Sequence, residues 1–319
     1  MSGAIRVHRK SRLLPALFVL LAGCASIPPS VSELPVRGGS IELADTPFYP
    51  QERYQCGPAA LTTVLAQSGA TASLDDIVDK VYLPGRQGSL QVELLAATRT
   101  EGRLPYVIDG RLTAIWRELE MGRPVLVLQN LGVAAIPRWH YAVVVGIDAE
   151  RGEVVLRSGT DPRRVTPSDT FLRTWQRGDY WGMVVLPPGE LPGDPDRSRY
   201  FEAIAALEQA GRAEEAAIAW QAALEHWPND SVALFGLGNA RLVLGDYRAA
   251  EDVYRKLLVV EPGMVVARNN LALALAEQGK FAAALRQIGI ALSENRDAAL
   301  ERELRDTEAS IRRREAGGG

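Results

Sequence analysis

The sequence predicts a two-part molecule, an α+β domain followed by an all-α array of helix pairs, and three observations carry that expectation. Apolar residues recur at helical spacing up to about residue 100 and then give way to short β-branched runs. A proline-rich break, Pro187-Pro188-Gly189 through Pro195, separates those runs from an alanine-rich C-terminal third. Within that third, residues return every 34 positions: Gly211, Gly245 and Gly279; Ala216, Ala250 and Ala284; Leu224, Leu258 and Leu292. Pro228 and Pro262 keep the same interval, and Arg296 ends their series.

In the α+β part, helices are expected over 56–67, 73–82 and 89–100. Ala60, Leu61, Val64 and Leu65 share one face of the first, and a Ser73…Asp76 capping pattern opens the second. Strands are expected over 124–129, 140–147, 153–157 and 182–186, with Ala149-Glu150-Arg151-Gly152 turning between the middle pair. A helical lobe then precedes an antiparallel sheet. The 34-residue period, with small residues at fixed places, is the signature of tetratricopeptide repeats. Residues 199–296 are read as three repeats, 188–198 as a linker, and 297–319 as a charged capping helix and tail.

With 319 residues, 47% of them hydrophobic and 24% charged, the chain has material for two ordinary cores. A formal charge of −3 gives no electrostatic reason to expect a nucleic-acid partner. No His, Cys or Asp cluster has ligand spacing, and no glycine-rich phosphate loop of recognised form occurs, so no metal or cofactor is expected.

At the N-terminus Arg6, His8, Arg9, Lys10 and Arg12 precede a short apolar stretch from Leu13 to Ala22. That stretch is too short to span a bilayer and fits a secretory signal over 1–23. It ends Leu21-Ala22-Gly23-Cys24, which resembles the lipobox of bacterial lipoproteins. The resemblance implies cleavage before Cys24, acylation of its thiol and amine, and anchoring through a lipidated tether over 24–44. Ala25, where inner-membrane lipoproteins usually carry Asp, points to the outer membrane, facing the periplasm.

Only two cysteines are present, so with Cys24 acylated Cys56 stands as a lone thiol in an oxidising compartment. It lies at the start of a helix, with Pro58 in the first turn, where backbone N–H groups and the helix dipole are expected to lower its pKa. Of three histidines, His8 falls in the signal and His226 beside Trp227 in a repeat. His140 opens a strand whose small neighbours Ala142, Val144 and Gly146 share its face and could let the imidazole lie against the Cys56 helix.

Gln51-x4-Cys56-Gly57-Pro58-Ala59-Ala60-Leu61, followed by Trp139-His140-Tyr141, resembles the bacteriocin-processing cysteine peptidase family and its stand-alone relatives. That resemblance implies a papain-like fold over 45–187, with Cys56 as nucleophile, His140 as general base and Gln51 as oxyanion-hole donor. The family's third residue is Asp or Asn; strand alignment offers Ser158, and Asp161-Pro162 lies just beyond. The expected activity is cleavage of a protein or peptide substrate in the cell envelope. The alternatives are a non-catalytic repeat scaffold on a relic peptidase fold, or a cell-wall amidase, although the Asp-Cys-Ser-Gly usual in amidases is absent. By resemblance to tetratricopeptide arrays, Phe235, Asn239 and Asn269 face a partner-binding groove alongside Leu242 and Leu273. Replacing Cys24 with Ala is expected to abolish incorporation of labelled palmitate; retained label would contradict the lipoprotein reading.

Overall fold

The computed structural model describes residues 39–50 and 55–317. After β1 (Ser40–Glu42), three helices follow: α1 (Cys56–Gln67), α2 (Leu74–Val81) and α3 (Gln91–Thr100). The Ser73 cap forms as expected: Asp76 N–H donates to Ser73 Oγ at 3.2 Å. Asp75 and Asp76 occupy the first turn of α2 and Lys80 the last, opposing the helix dipole at both ends. The chain continues through β2 (Leu104–Val107), α4 (Leu112–Glu120), β3 (Val125–Asn130), β4 (Trp139–Asp148), β5 (Glu153–Ser158), β6 (Asp161–Pro167), α5 (Ser168–Gln176) and β7 (Gly182–Leu186).

The strands form one antiparallel sheet in the order β2-β7-β3-β4-β5-β6, and β1 pairs with the far end of β4. Strand β4 is the centre, apolar on both faces. Tyr141, Val143 and Val145 pack with Leu61, Leu65, Ile77 and Leu94 of α1, α2 and α3. Ala142 and Val144 face the opposite way, toward Ile115, Leu119, Phe171 and Trp175 of α4 and α5. The edge strand β6 is exposed along most of its length. Arg163, Arg164, Pro162 and Pro167 blunt it against pairing with another chain.

Six helices follow with the period seen in the sequence. The first members are α6 (Arg197–Gln209), α8 (Ser231–Val243) and α10 (Val265–Glu277), and the second are α7 (Ala213–His226), α9 (Tyr247–Val260) and α11 (Phe281–Glu294). Gly211, Gly245 and Gly279 sit at φ +76°, +75° and +74°, the left-handed conformation that ends each first helix and that L side chains resist. Ala216, Ala250 and Ala284 are fully buried, where a larger side chain would push the paired helices apart. A last helix, α12 (Ala298–Gly317), packs on α10 and α11 and buries Leu304 and Ile311.

The stretch expected as a linker is irregular but firmly held. Glu118 of α4 is buried and meets Arg123 at 2.8 Å, while the Gly193 N–H donates to it at 2.7 Å. Arg123 also donates to Glu190 and to the Leu191 carbonyl, each at 3.1 Å. A buried carboxylate needs such partners, and the chain after β7 supplies them. Arg199 of α6 reaches Asp109 at 2.8 Å and the Val107 carbonyl of β2 at 3.1 Å. Below these bonds one apolar cluster runs without a break from Leu104, Trp116 and Leu119 to Phe201, Ile204 and Trp220. The sheet and the first repeat therefore share a core.

Phe201 is central to that core, with its ring 5.1 Å from Trp220 and 5.4 Å from Trp227, both edge-on. Phe201→Ala should cost about 3–5 kcal/mol. Because the core is shared, tryptophan fluorescence and far-UV circular dichroism should show one unfolding transition, moved to lower temperature. Two separate transitions, with only the repeats affected, would contradict this.

Candidate active site

Cys56 is the first residue of α1, and α1 lies unusually close to the loop before α3. A Cβ added at Gly57 would come within 2.6 Å of Ser89 Oγ, so glycine is required for the approach. The side chain of Cys56 packs against the same cluster as Tyr141 and Leu61. Backbone N–H groups of Tyr141, Gly57 and Cys56 itself are directed at its sulfur. This arrangement joins the start of α1 to the start of β4.

His140 is the second residue of β4 and lines the same cleft as Cys56, a cavity of about 840 Å³. Ser89, Leu90, Arg86 and Arg138 contribute further walls, and Trp139 stands 55% exposed at the rim. The expected bed of Ala142, Val144 and Gly146 beneath the Cys56 helix is not what brings the two together. Ala142 and Val144 pack on α4 and α5, and Tyr141 and Val143 carry α1. Both residues line the cleft because they sit where their elements begin, at one end of the sheet.

Of the two candidates for a residue behind the histidine, Ser158, at the end of β5, is the one that reaches it. His140 Nε2 and Ser158 Oγ are 2.8 Å apart, and the serine is 4% exposed. Asp161, the other candidate, is exposed, and its carboxylate accepts the Arg163 N–H at 2.9 Å within the turn into β6. The neighbouring Arg157 donates to the Ala44 and Thr46 carbonyls, strapping the segment before residue 51 to β5. Gln51 and Cys24 lie outside the described residues.

The electrostatics differ from the sequence expectation. Burial pushes the Cys56 thiol up, and the three N–H groups only partly oppose it. His140 falls to about 4, first through burial and then through the charges of Arg164 and Arg138. A serine behind the imidazole supplies no negative charge to offset them. At pH 7 the resting pair is thus a neutral thiol and a neutral imidazole, not an ion pair.

Among the described residues no group of three or more His, Cys, Asp and Glu could hold a metal, and no helix is long and apolar enough to cross a membrane. In the repeats, Asn269 is corrected: it is 2% exposed and donates to Glu303 of α12 at 3.4 Å, because α12 covers α10 where an open groove was expected. Asn239 Oδ1 accepts from the Tyr254 hydroxyl at 2.6 Å and from Asn270 at 2.9 Å. Phe235 is half-buried against the array's core. The sequence reading passed over Ser89, Arg86 and Arg138. Only Arg138 carried a signal, standing directly before Trp139-His140-Tyr141.

Two outcomes follow from the neutral pair. Alkylation of Cys56 by iodoacetamide should be slower at pH 7 than that of a free thiol and should keep climbing with pH beyond the point where a free thiol levels off, and Ser158→Asp should accelerate it at neutral pH by about 10-fold as the imidazolium gains a partner. Folding stability should also respond to His140. In the window between an unfolded value of about 6.5 and the folded value of about 4, the unfolded chain holds the extra proton. Stability is therefore lost as pH falls through that window, by up to about 3 kcal/mol. Denaturant titrations of wild type and His140→Gln at pH 7 and pH 4 measure it; an equal pH dependence in both would refute the assignment.

Residues 43–180 match the family model described as Peptidase_C39 like family. No curated protein matches the chain. Among solved structures, a C39-like peptidase from Bacillus anthracis is similar at 14% identity over 46% of this chain and 98% of its own, with a TM-score of 0.39. The Yersinia enterocolitica type III secretion chaperone SycD, in complex with a peptide of the translocator YopD, aligns at 21% identity over 36% of this chain and 91% of its own, with a TM-score of 0.35. The TPR2B domain of yeast Sti1, in complex with pHsp70, aligns at 16% identity over 37% of this chain and 96% of its own, also at 0.35. Residues 43–180, which hold α1 through the turn that follows α5, thus carry the match to the C39-like peptidase model, and a tetratricopeptide-like array follows them.

Proposed function

We propose that the chain is a cysteine peptidase of the bacterial envelope, held to the membrane by lipid on Cys24, with repeats that engage a protein substrate or partner. The observation that carries the catalytic part is the hydrogen bond between His140 and Ser158 beside the cleft that also holds Cys56. It occupies Nε2 and leaves Nδ1 for the thiol.

In this mechanism the Cys56 S–H proton passes to His140 Nδ1 as sulfur bonds to the scissile carbonyl carbon, and the carbonyl electron pair becomes an oxyanion. The Cys56 N–H and the Gln51 amide are the donors assigned to that oxygen. The C–N bond then breaks, and Nδ1–H protonates the departing amine. Water attacks the thioester while giving a proton to His140, and that proton returns to sulfur as the acid leaves. A proton moves with each bond change, which suits a resting pair that is neutral. The repeats offer Phe235 and Asn239 on α8, and Asn269 is withdrawn from that role by α12.

The test is to incubate the purified chain with a proteome-derived peptide library and read new termini by mass spectrometry. Wild type should create a defined set of termini. Cys56→Ala should create none, and His140→Ala should lower turnover by about 10²–10⁴. Absence of new termini, or the same termini with Cys56→Ala, would remove the peptidase reading in favour of a scaffold.

A further inference from the structure

Among the described residues, two guanidinium groups stand in the cleft without a partner. Arg86 ends a tight turn, Pro84–Arg86, on one wall, and Arg138 precedes Trp139 on another. Both are exposed, and neither takes part in an ion pair, whereas many of the arginines elsewhere on the molecule do. Their backbones are nonetheless fixed. Asn130 Oδ1 accepts the N–H groups of Gly132 and Arg138, each at 2.9 Å, and Leu131 N–H donates to the Arg138 carbonyl at 2.9 Å. In the Arg86 turn, Leu83 N–H donates to the Gly88 carbonyl and Arg86 N–H to the Leu83 carbonyl, both at 2.9 Å. Among the described residues lining the cavity Asp179 is the only carboxylate, and it pairs with neither arginine.

We propose that the cleft selects a peptide with an acidic side chain next to the scissile bond, and that Arg138 and Arg86 seat its carboxylate. This deepens the peptidase reading and rests on it. Fixed backbones with free, forked donors suit a carboxylate, which guanidinium groups bind through two parallel hydrogen bonds.

The chemistry asks for the same ligand. Attack by Cys56 turns His140 into an imidazolium. The described groups that act on that ring are the Ser158 hydroxyl from β5, Arg164 from β6 and Arg138 from the loop just before β4, with the Cys56 thiol of α1 lining the same cleft. None of them is negative before reaction. A substrate carboxylate at Arg138 cancels one opposing charge as the imidazolium forms, so an acidic residue raises kcat as well as lowering KM. A neutral or basic residue leaves the opposing charge in place.

The experiment compares iodoacetate with iodoacetamide at Cys56, read by mass spectrometry of the peptide containing that residue in the full chain. Both reagents need the same thiolate, so their rate ratio cancels its population and reports only the preference for a carboxylate beside sulfur. Relative to N-acetylcysteine, wild type should favour iodoacetate by about 10-fold at low salt, and the preference should fade toward about 0.5 M salt. Arg86→Gln with Arg138→Gln should bring the ratio to that of the free thiol. Lysine at both positions should restore much of it, and Arg312→Gln on α12 should leave it unchanged. A wild-type ratio no higher than that of the free thiol, or one that survives the double glutamine substitution, overturns the proposal. Peptides from the cleaved set are then compared as Glu and Gln pairs beside the scissile bond, where a higher kcat for Glu is expected and equal kcat values refute the coupling. An iodoacetate preference with no peptide turned over would count against the peptidase reading while upholding the anion-selecting cleft.

Discussion

The start of α1 is pressed against the start of β4, and the site depends on that contact. Three features make it possible: a glycine at position 57 that lets Ser89 come close, a Tyr141 N–H aimed at sulfur, and the packing of Leu61 and Leu65 onto Tyr141 and Val143. The apolar side chains set the distance between helix and sheet, while the polar groups decide what the end of that interface can do. A larger residue at Gly57 would tilt the helix away from the Ser89 loop and move the thiol with it. Burial of the whole α1 face is what makes such a tilt costly.

The same burial governs the protonation of the pair. Desolvation acts on a thiol and an imidazole in opposite directions, up for one and down for the other, and both shifts favour the uncharged forms. A carboxylate behind the histidine would work against this, but a serine occupies the position and the nearest charges are cations. Cys56 and His140 share the cleft as two neutral groups with their charge balance left open, so whatever enters the cleft can change it.

Much of this was legible in the residues. The 34-residue period fixes helix starts at 197, 231 and 265, because each repeat needs its glycine in the left-handed region and its alanine in a helix contact. The Ser73 cap and the limits of α1 followed from local chemistry alone. Strand β6 was not legible, since both of its faces are exposed and Arg163, Arg164 and two prolines erase any alternation. Strand β2, four residues long with a proline, gives too little pattern to recognise. Helix α4 did carry one, with Leu112, Ile115, Trp116 and Leu119 at helical spacing, and was overlooked. At the site, Cys56 and His140 could be chosen by elimination among so few candidates. The facing direction of His140 could not, because alternation along a strand says little at its first residues, where the side chain reaches past the sheet's end. The fate of Asn269 depended on where α12 lands, a long-range event that no local pattern encodes.

Pairing of β1 with the Asp148 end of β4 sets a direction for the whole molecule. The chain comes in at one end of that strand and the cleft opens at the other, about 25 Å away along the strand. On the anchored reading proposed above, the folded part begins at the end of the strand remote from the cleft, so the cleft is not the part that joins the tether. Long or folded polypeptides could then reach the thiol without first lying down on the bilayer. The repeats, sharing a core with the edge of the sheet at β2, would turn only when the sheet turns. A partner caught on the repeats would therefore approach the cleft at one fixed angle, as a workpiece held in a jig meets the blade.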